Sequence, residues 1–78
     1  MNAINGKQIE WEDELERTTS IRFVDVGLKD GIRHYEGLSK DVPYLPKEPE
    51  LETGSTCFMI DTSEVYKYEC TTQDWYLL

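Results

Sequence analysis

The stretch GSTCFMIDTSEVYKYECTTQDWYLL, residues 54–78, limits the possible folds more than any other part of the chain. It is rich in aromatic and β-branched residues, which suit a pleated, half-buried surface, and polar turn signals break it twice. Thr56 to Ile60 reads as a strand. Asp61, Thr62 and Ser63 can each hydrogen-bond their own backbone and favour a reversal. Glu64 to Glu69 reads as a second strand, with Tyr66 and Tyr68 on one face and Val65 and Lys67 on the other. Thr71 to Asp74 fits a second reversal, and Trp75 to Leu78 a third strand. The expectation is a three-stranded antiparallel meander.

A three-residue loop over 61–63 would set Ile60 opposite Glu64, Phe58 opposite Tyr66, Thr56 opposite Tyr68 and Met59 opposite Val65. Cys57 would then face Lys67. A loop of another length would change these partners, and the sequence leaves the choice open.

Upstream, residues 18–37 read as a hairpin. Thr18 to Val26 is a strand with Phe23, GLKDG (27–31) a loop with an Asp-Gly turn pair, and Ile32 to Glu36 the return, ended by Gly37. Residues 38–53 hold all three prolines, Pro43, Pro46 and Pro49. Proline fixes φ and lacks an N–H, so an extended, rigid connector between two hairpins is expected rather than a helix or a central strand. A polyproline ligand for an aromatic groove is the sharper alternative.

Residues 1–17 form an acidic N-terminal segment that contains the turn-prone pair Asn5-Gly6. In QIEWEDELER (8–17), Ile9 and Trp11 alternate as in a strand, whereas Trp11 and Leu15 are spaced i, i+4 as on one helical face. A short helix and an extended docking arm both fit. The fold class expected is mainly β: a small antiparallel sheet, made of the meander and the preceding hairpin, with an extended N-terminal arm and a Pro-rich connector.

With 78 residues the chain has room for one small domain, whose core alone gives marginal stability. Sixteen acidic residues against eight basic ones give a net charge of −8. That balance disfavours nucleic acid and anionic membrane surfaces, both of which call for clustered Lys and Arg. No apolar run approaches membrane-spanning length, and the first residues lack the apolar core of a secretory signal, so a cytoplasmic origin is expected. Cys57 and Cys70 lack C-x-x-C spacing and are expected to be free thiols.

Enzyme chemistry finds little support. His34 is the sole histidine, and no spacing links it to Ser39, Ser55 or a cysteine as a nucleophile. Asp13 and Glu14 read as a solvated face rather than an acid/base pair. Gly27 and Gly31 match no phosphate loop, and Asp25, Asp30 and Asp41 are too scattered for a calcium loop. The expectation is a protein without a catalytic centre, cofactor or metal. Trp11, Leu15, Tyr44 and Leu45 are its candidate partner-binding residues. Gly54, Asp61, Thr62, Tyr66, Tyr68 and Trp75 are expected to build turn and sheet.

The order EGLSKD (36–41), a Pro-containing connector, GSTCFMIDTSEVYKYE (54–69) and a late Trp75 resembles small virion proteins of tailed bacteriophages and prophages. That family carries a GLS-x-D…P…GST-x-x-x-x-DT-x-x-x-Y-x-Y…W pattern and is typically encoded among virion structural genes. Gly37, Leu38, Ser39, Asp41, Gly54, Ser55, Thr56, Asp61, Thr62, Tyr66, Tyr68 and Trp75 match it. The chain departs at Ser63, where family members usually have Gly, and in its longer connector. The resemblance implies a structural protein of the virion, made in the bacterial host cytoplasm. Its leading form is a capsid decoration or cementing protein on the major capsid protein, with 1–17 and 38–53 as arms on neighbouring subunits and homo-oligomers on the particle. A neck, tail or baseplate subunit is the alternative within that class. Outside it stand an acidic inhibitor of a host enzyme that mimics nucleic acid, and a carbohydrate-binding module stacking sugars on Trp11, Tyr66, Tyr68 or Trp75.

Overall fold

Five strands form one sheet in the simple order β1-β2-β3-β4-β5, with a short helix α1 ahead of them. The structure, a computed structural model, describes residues 8–29 and 31–78. The Asn5-Gly6 turn and Asp30 of the Asp-Gly pair therefore lie outside the described residues.

The elements are α1 (Glu10–Thr18), β1 (Arg22–Val26), β2 (Arg33–Gly37), a 3-10 helix (Ser39–Tyr44), β3 (Thr56–Met59), β4 (Glu64–Glu69) and β5 (Asp74–Leu77). The fold is mainly β, as expected, and both the hairpin and the meander are present. The sheet is mixed rather than wholly antiparallel, because β2 and β3 run parallel. Parallel neighbours need a crossover, and residues 38–55 supply it across one face of the sheet. The expected plain linker is thus a covering layer. Pro43 sits inside the 3-10 helix instead of enforcing extended chain, and Leu45, Pro46 and Leu51 are buried. A 3-10 turn tolerates proline there because its short hydrogen-bond ladder asks little of the missing N–H.

The meander register differs by one residue from that of a three-residue loop. Met59 lies opposite Glu64, Phe58 opposite Val65, Cys57 opposite Tyr66 and Thr56 opposite Lys67. Four residues, 60–63, make the turn, and Ser63 takes a left-handed φ of 62° while its N–H bonds the Met59 carbonyl at 2.8 Å. Within each strand the alternation is as expected: Tyr68 is buried and Tyr66 half-buried on one face, whereas Lys67 is exposed on the other.

Residues 10–18 do not form an extended arm. They make two turns of helix on the same face of the sheet as the crossover, and Trp11 and Leu15 pack against the core. That core comprises Ile21, Tyr35, Leu45, Leu51, Cys57, Met59, Tyr68 and Trp75. Its rings form a chain: Phe23 to Tyr35 at 6.3 Å, Tyr35 to Trp75 at 6.4 Å, and Trp75 to Tyr68 at 5.2 Å. Gly37 allows β2 and the Ile21 backbone to approach closely, since a Cβ there would stand 2.5 Å from Ile21 Cδ1 and 3.0 Å from Ile21 Cα. The opposite face, with His34, Glu36, Thr56, Phe58, Val65, Lys67 and Tyr76, carries no covering element among the described residues.

Candidate docking groove

One acidic residue of the segment that reads as a solvated face is wholly buried. Glu12 is 0% exposed and accepts hydrogen bonds from the Ile9 N–H at 2.8 Å, from Arg33 Nε at 3.0 Å and Nη2, and from the Tyr35 hydroxyl. The Ile9 bond caps the first turn of α1, where Ile9 itself has no side-chain acceptor to offer. Arg33 and Tyr35 share the core face of β2, so one carboxylate fastens the helix to the sheet. Burial would lower the Arg33 pKa, but the hydrogen bond and charge of Glu12 outweigh it and the pKa is raised. Burial first, then the bond to Glu12, pushes the Tyr35 phenol far above its ordinary value. Arg33 also lies over the Phe23 ring at 4.2 Å.

The C-terminal end of α1 is fixed as firmly. The Thr19 N–H and hydroxyl both donate to the Leu15 carbonyl, at 2.9 and 2.8 Å, and turn the chain out of the helix. Ser20 then meets Asp41 of the 3-10 helix: its N–H and its hydroxyl donate to Asp41 Oδ2 at 2.9 and 2.6 Å. The Ser20 Oγ in turn accepts the Leu38 N–H at 2.9 Å. Hydrogen bonds from Ser20, with help from Lys40, hold the Asp41 carboxyl down to about 2.

With both ends held, α1 and the crossover leave an open groove of about 510 Å³ between them. Trp11, Leu15, Thr18 and Thr19 line the helix wall; Pro43, Tyr44, Leu45, Pro46 and Lys47 line the other. Glu14 and Glu48 complete the lining. The Trp75 indole N–H donates to the Pro46 carbonyl at 2.8 Å and secures the crossover to β5. The Trp11 indole nitrogen is buried and has no hydrogen-bond partner among the described residues.

All four candidate partner-binding residues meet at this groove, although Trp11 and Leu15 are far from Tyr44 and Leu45 in sequence. Their exposure differs. Tyr44 is 61% exposed, Trp11 and Leu15 are half-buried, and Leu45 is buried in the core, where it serves as floor rather than anchor.

The remaining candidates hold the scaffold. The Asp61 carboxylate accepts from the Ser39 N–H at 2.9 Å and the Ser39 hydroxyl at 2.7 Å, so it ties the β3–β4 turn to the start of the 3-10 helix. Those bonds lower its pKa. The Thr62 hydroxyl donates to Glu64 at 3.0 Å, and Gly54 sits at φ 107°. Buried Ser55 accepts the Arg33 N–H at 3.0 Å and donates to the Glu52 carbonyl at 2.9 Å. His34 contacts Thr56 Oγ1 through Nδ1 at 2.7 Å on the open face. Sequence reasoning missed Glu12 and Ser20, and named Asp41 without its role as the acceptor for Ser20. One signal was available for Glu12: Arg33 alternates in phase with Tyr35 on a core-facing strand, and a buried guanidinium calls for an acid.

Among the described residues no group of His, Cys, Asp and Glu is arranged to hold a metal ion, and no helix is long and apolar enough to cross a membrane. Cys57 is buried, and its thiol is pushed up to about 12 by burial and by Glu36; Cys70 is partly exposed. No family model, no curated protein and no solved structure matches the chain.

Proposed function

We propose that the chain is a non-enzymatic bacteriophage virion protein, a capsid decoration or cementing subunit that docks on the major capsid protein through the groove between α1 and the crossover. The observation that carries the docking site is the convergence of Trp11, Leu15 and Tyr44 on one open groove. Exposed or half-buried aromatic side chains in a shaped pocket are the usual anchors of protein interfaces. Acidic Glu14 and Glu48 line the same groove on a chain of charge −8, which suits a partner segment with apolar and basic side chains.

The virion reading rests on the resemblance of residues 36–78. The positions that carry it include structural fasteners: Ser39 with Asp61, Asp41 with Ser20, Trp75 with Pro46, and Gly37 against Ile21. A shared pattern made of such positions is what a shared fold would require. The carbohydrate reading loses two of its platforms, since Tyr68 is 1% and Trp75 8% exposed and neither has a free ring face.

Quantitative mass spectrometry of purified particles tests the reading. About one copy per capsid subunit or capsomer is expected, because cementing proteins follow the symmetry of their lattice. A few copies per particle would move the protein to the neck, tail or baseplate, and absence from particles would sink the virion reading. For the groove itself, Tyr44→Ala is expected to lower occupancy on particles and to leave folding stability within about 0.5 kcal/mol, as for an exposed side chain.

A further inference from the structure

The two edges of the sheet are finished differently. On β1 a bulge interrupts the register between Phe23 and Asp25. Two of its N–H groups are taken by carboxylates: Phe23 donates to Glu16 at 2.9 Å and Val26 to Asp25 at 2.8 Å. Bulges and charged side chains are the usual means of closing a sheet edge against another chain.

On β5 the pairing is regular from Glu69↔Asp74 to Tyr66↔Leu77. The Leu78 N–H donates inward to Val65 at 2.9 Å, so the backbone groups of Asp74, Tyr76 and Leu78 face β4, while those of Trp75 and Leu77 face outward. Trp75's N–H is capped by the Asp74 side chain at 2.9 Å. Among the described residues, the Leu77 N–H and the carbonyls of Trp75 and Leu77 form an open ladder edge. Tyr76, Leu77 and Leu78 beside it are half-exposed or more.

We propose that β5 pairs antiparallel with β5 of a second copy of this chain, joining two sheets into one of ten strands about a two-fold axis through Tyr76. The strand's own register argues for a second copy. Outward-facing residues must meet outward-facing residues, and setting Trp75 opposite Leu77 does this at both ends simultaneously. The Leu77 N–H then reaches the partner's Trp75 carbonyl, once on each side of the axis. On the core face each exposed Leu77 covers the edge of the other copy's Trp75. On the open face Tyr76 meets its symmetry mate, an aromatic cross-strand pair at the close, non-hydrogen-bonded spacing. Asp74, the only charged residue of β5, lies opposite Leu78 and away from its own mate. Such a contact is isologous and closes at two copies.

This proposal does not depend on the virion reading. Light scattering coupled to size-exclusion chromatography, run on the full chain over a concentration series, tests it. The expected result is a shift from the 9.1 kDa chain mass to twice that value. Each copy carries −8, so association should strengthen as salt screens the repulsion. Leu77→Pro removes the outward donor and breaks no bond to β4. Tyr76→Glu puts like charges at the two-fold axis, while its carboxylate can face Lys67 within the monomer. Each variant should weaken association by about tenfold or more. If Leu77→Pro fails to fold, Tyr76→Glu decides the matter. A wild-type chain that stays at 9.1 kDa throughout, or a dimer that both folded variants leave unchanged, would overturn the proposal.

Discussion

The core face of the sheet is closed by two kinds of chemistry. Over β1 and β2, the first turn of helix α1 is fastened by one wholly buried carboxylate that takes bonds from Ile9, Arg33 and Tyr35. Over β4 and β5, closure comes from ring area, with Tyr68 against Trp75 and one indole bond to Pro46. A polar anchor is directional and cooperative: remove one member and the others are stranded in a dry site. An apolar layer loses stability in proportion to the area and volume removed. The N-terminal layer is therefore specific but brittle, and the C-terminal one is graded.

The largest expected effect follows from that brittleness. Glu12→Ala leaves the Arg33 guanidinium, whose side chain is only 11% exposed, without its carboxylate. Breaking a buried pair on one side costs about 3–5 kcal/mol, a large part of the total for a domain of this size. Replacing both partners, Glu12→Leu with Arg33→Met, is expected to recover only the part due to the stranded charge in urea titrations, because the Tyr35 hydroxyl and the Ile9 N–H still lack their acceptor. If Glu12→Ala stayed within about 0.5 kcal/mol of the parent, α1 would be a loosely laid arm and the comparison would collapse.

Trp75→Ala should cost a similar amount, about 3–5 kcal/mol, through the cavity left between Tyr35 and Tyr68. The contrast lies in the rescue. Trp75→Phe is expected to restore most of the loss, because area is what matters there; its remaining deficit is the unpaired Pro46 carbonyl.

The same contrast explains what the sequence reveals. Period-two alternation places Tyr66 and Tyr68 on one face of β4, and it identifies β3 and β5, because a half-buried strand writes its environment into every second residue. The i, i+4 pair of Trp11 and Leu15 likewise points to the helix face that packs. Glu12 is hidden among acids of the same type, and its partners lie on β2, beyond the reach of any local pattern. The parallel pairing of β2 with β3 is hidden for a related reason: three prolines describe φ angles, not the path of a crossover over the sheet. The groove combines both cases. Its residues are recognisable one by one, but their meeting depends on Ser20 and Asp41, two small polar side chains separated by the whole hairpin.

Asp41 gives the next, smaller test. Its carboxyl is held to about 2 against an ordinary 3.8, so its contribution is complete above the ordinary value and is lost as pH falls through the interval between the two. Asp61, Glu69 and Asp74 are lowered as well and act in the same direction. Asp41→Asn keeps an oxygen for Ser20 but has no charge. It should flatten part of the acid limb of a stability-against-pH curve, leaving the part set by the other three. An unchanged acid limb would mean that the groove walls do not rely on this clamp.

The smallest effect sharpens the comparison from the meander's side, where the sequence pattern is strongest and the turn is nonetheless its weak point. Ser63 holds a φ of 62° to close the four-residue loop, a region where any side chain clashes with the adjacent carbonyl. Its N–H bond to Met59 fixes the register, so the conformation is kept despite the strain. Ser63→Gly removes that strain but gives the unfolded chain more freedom, and the two effects partly cancel. A gain of about 0.5–1 kcal/mol is expected, visible as a rise of a few degrees in Tm for a domain of this length. Gly54→Ala, at φ 107°, is the opposite change and should destabilise by at least as much. A fall in Tm for Ser63→Gly would mean that the serine side chain contributes to the turn beyond its backbone, and that the C-terminal layer too depends on a polar contact.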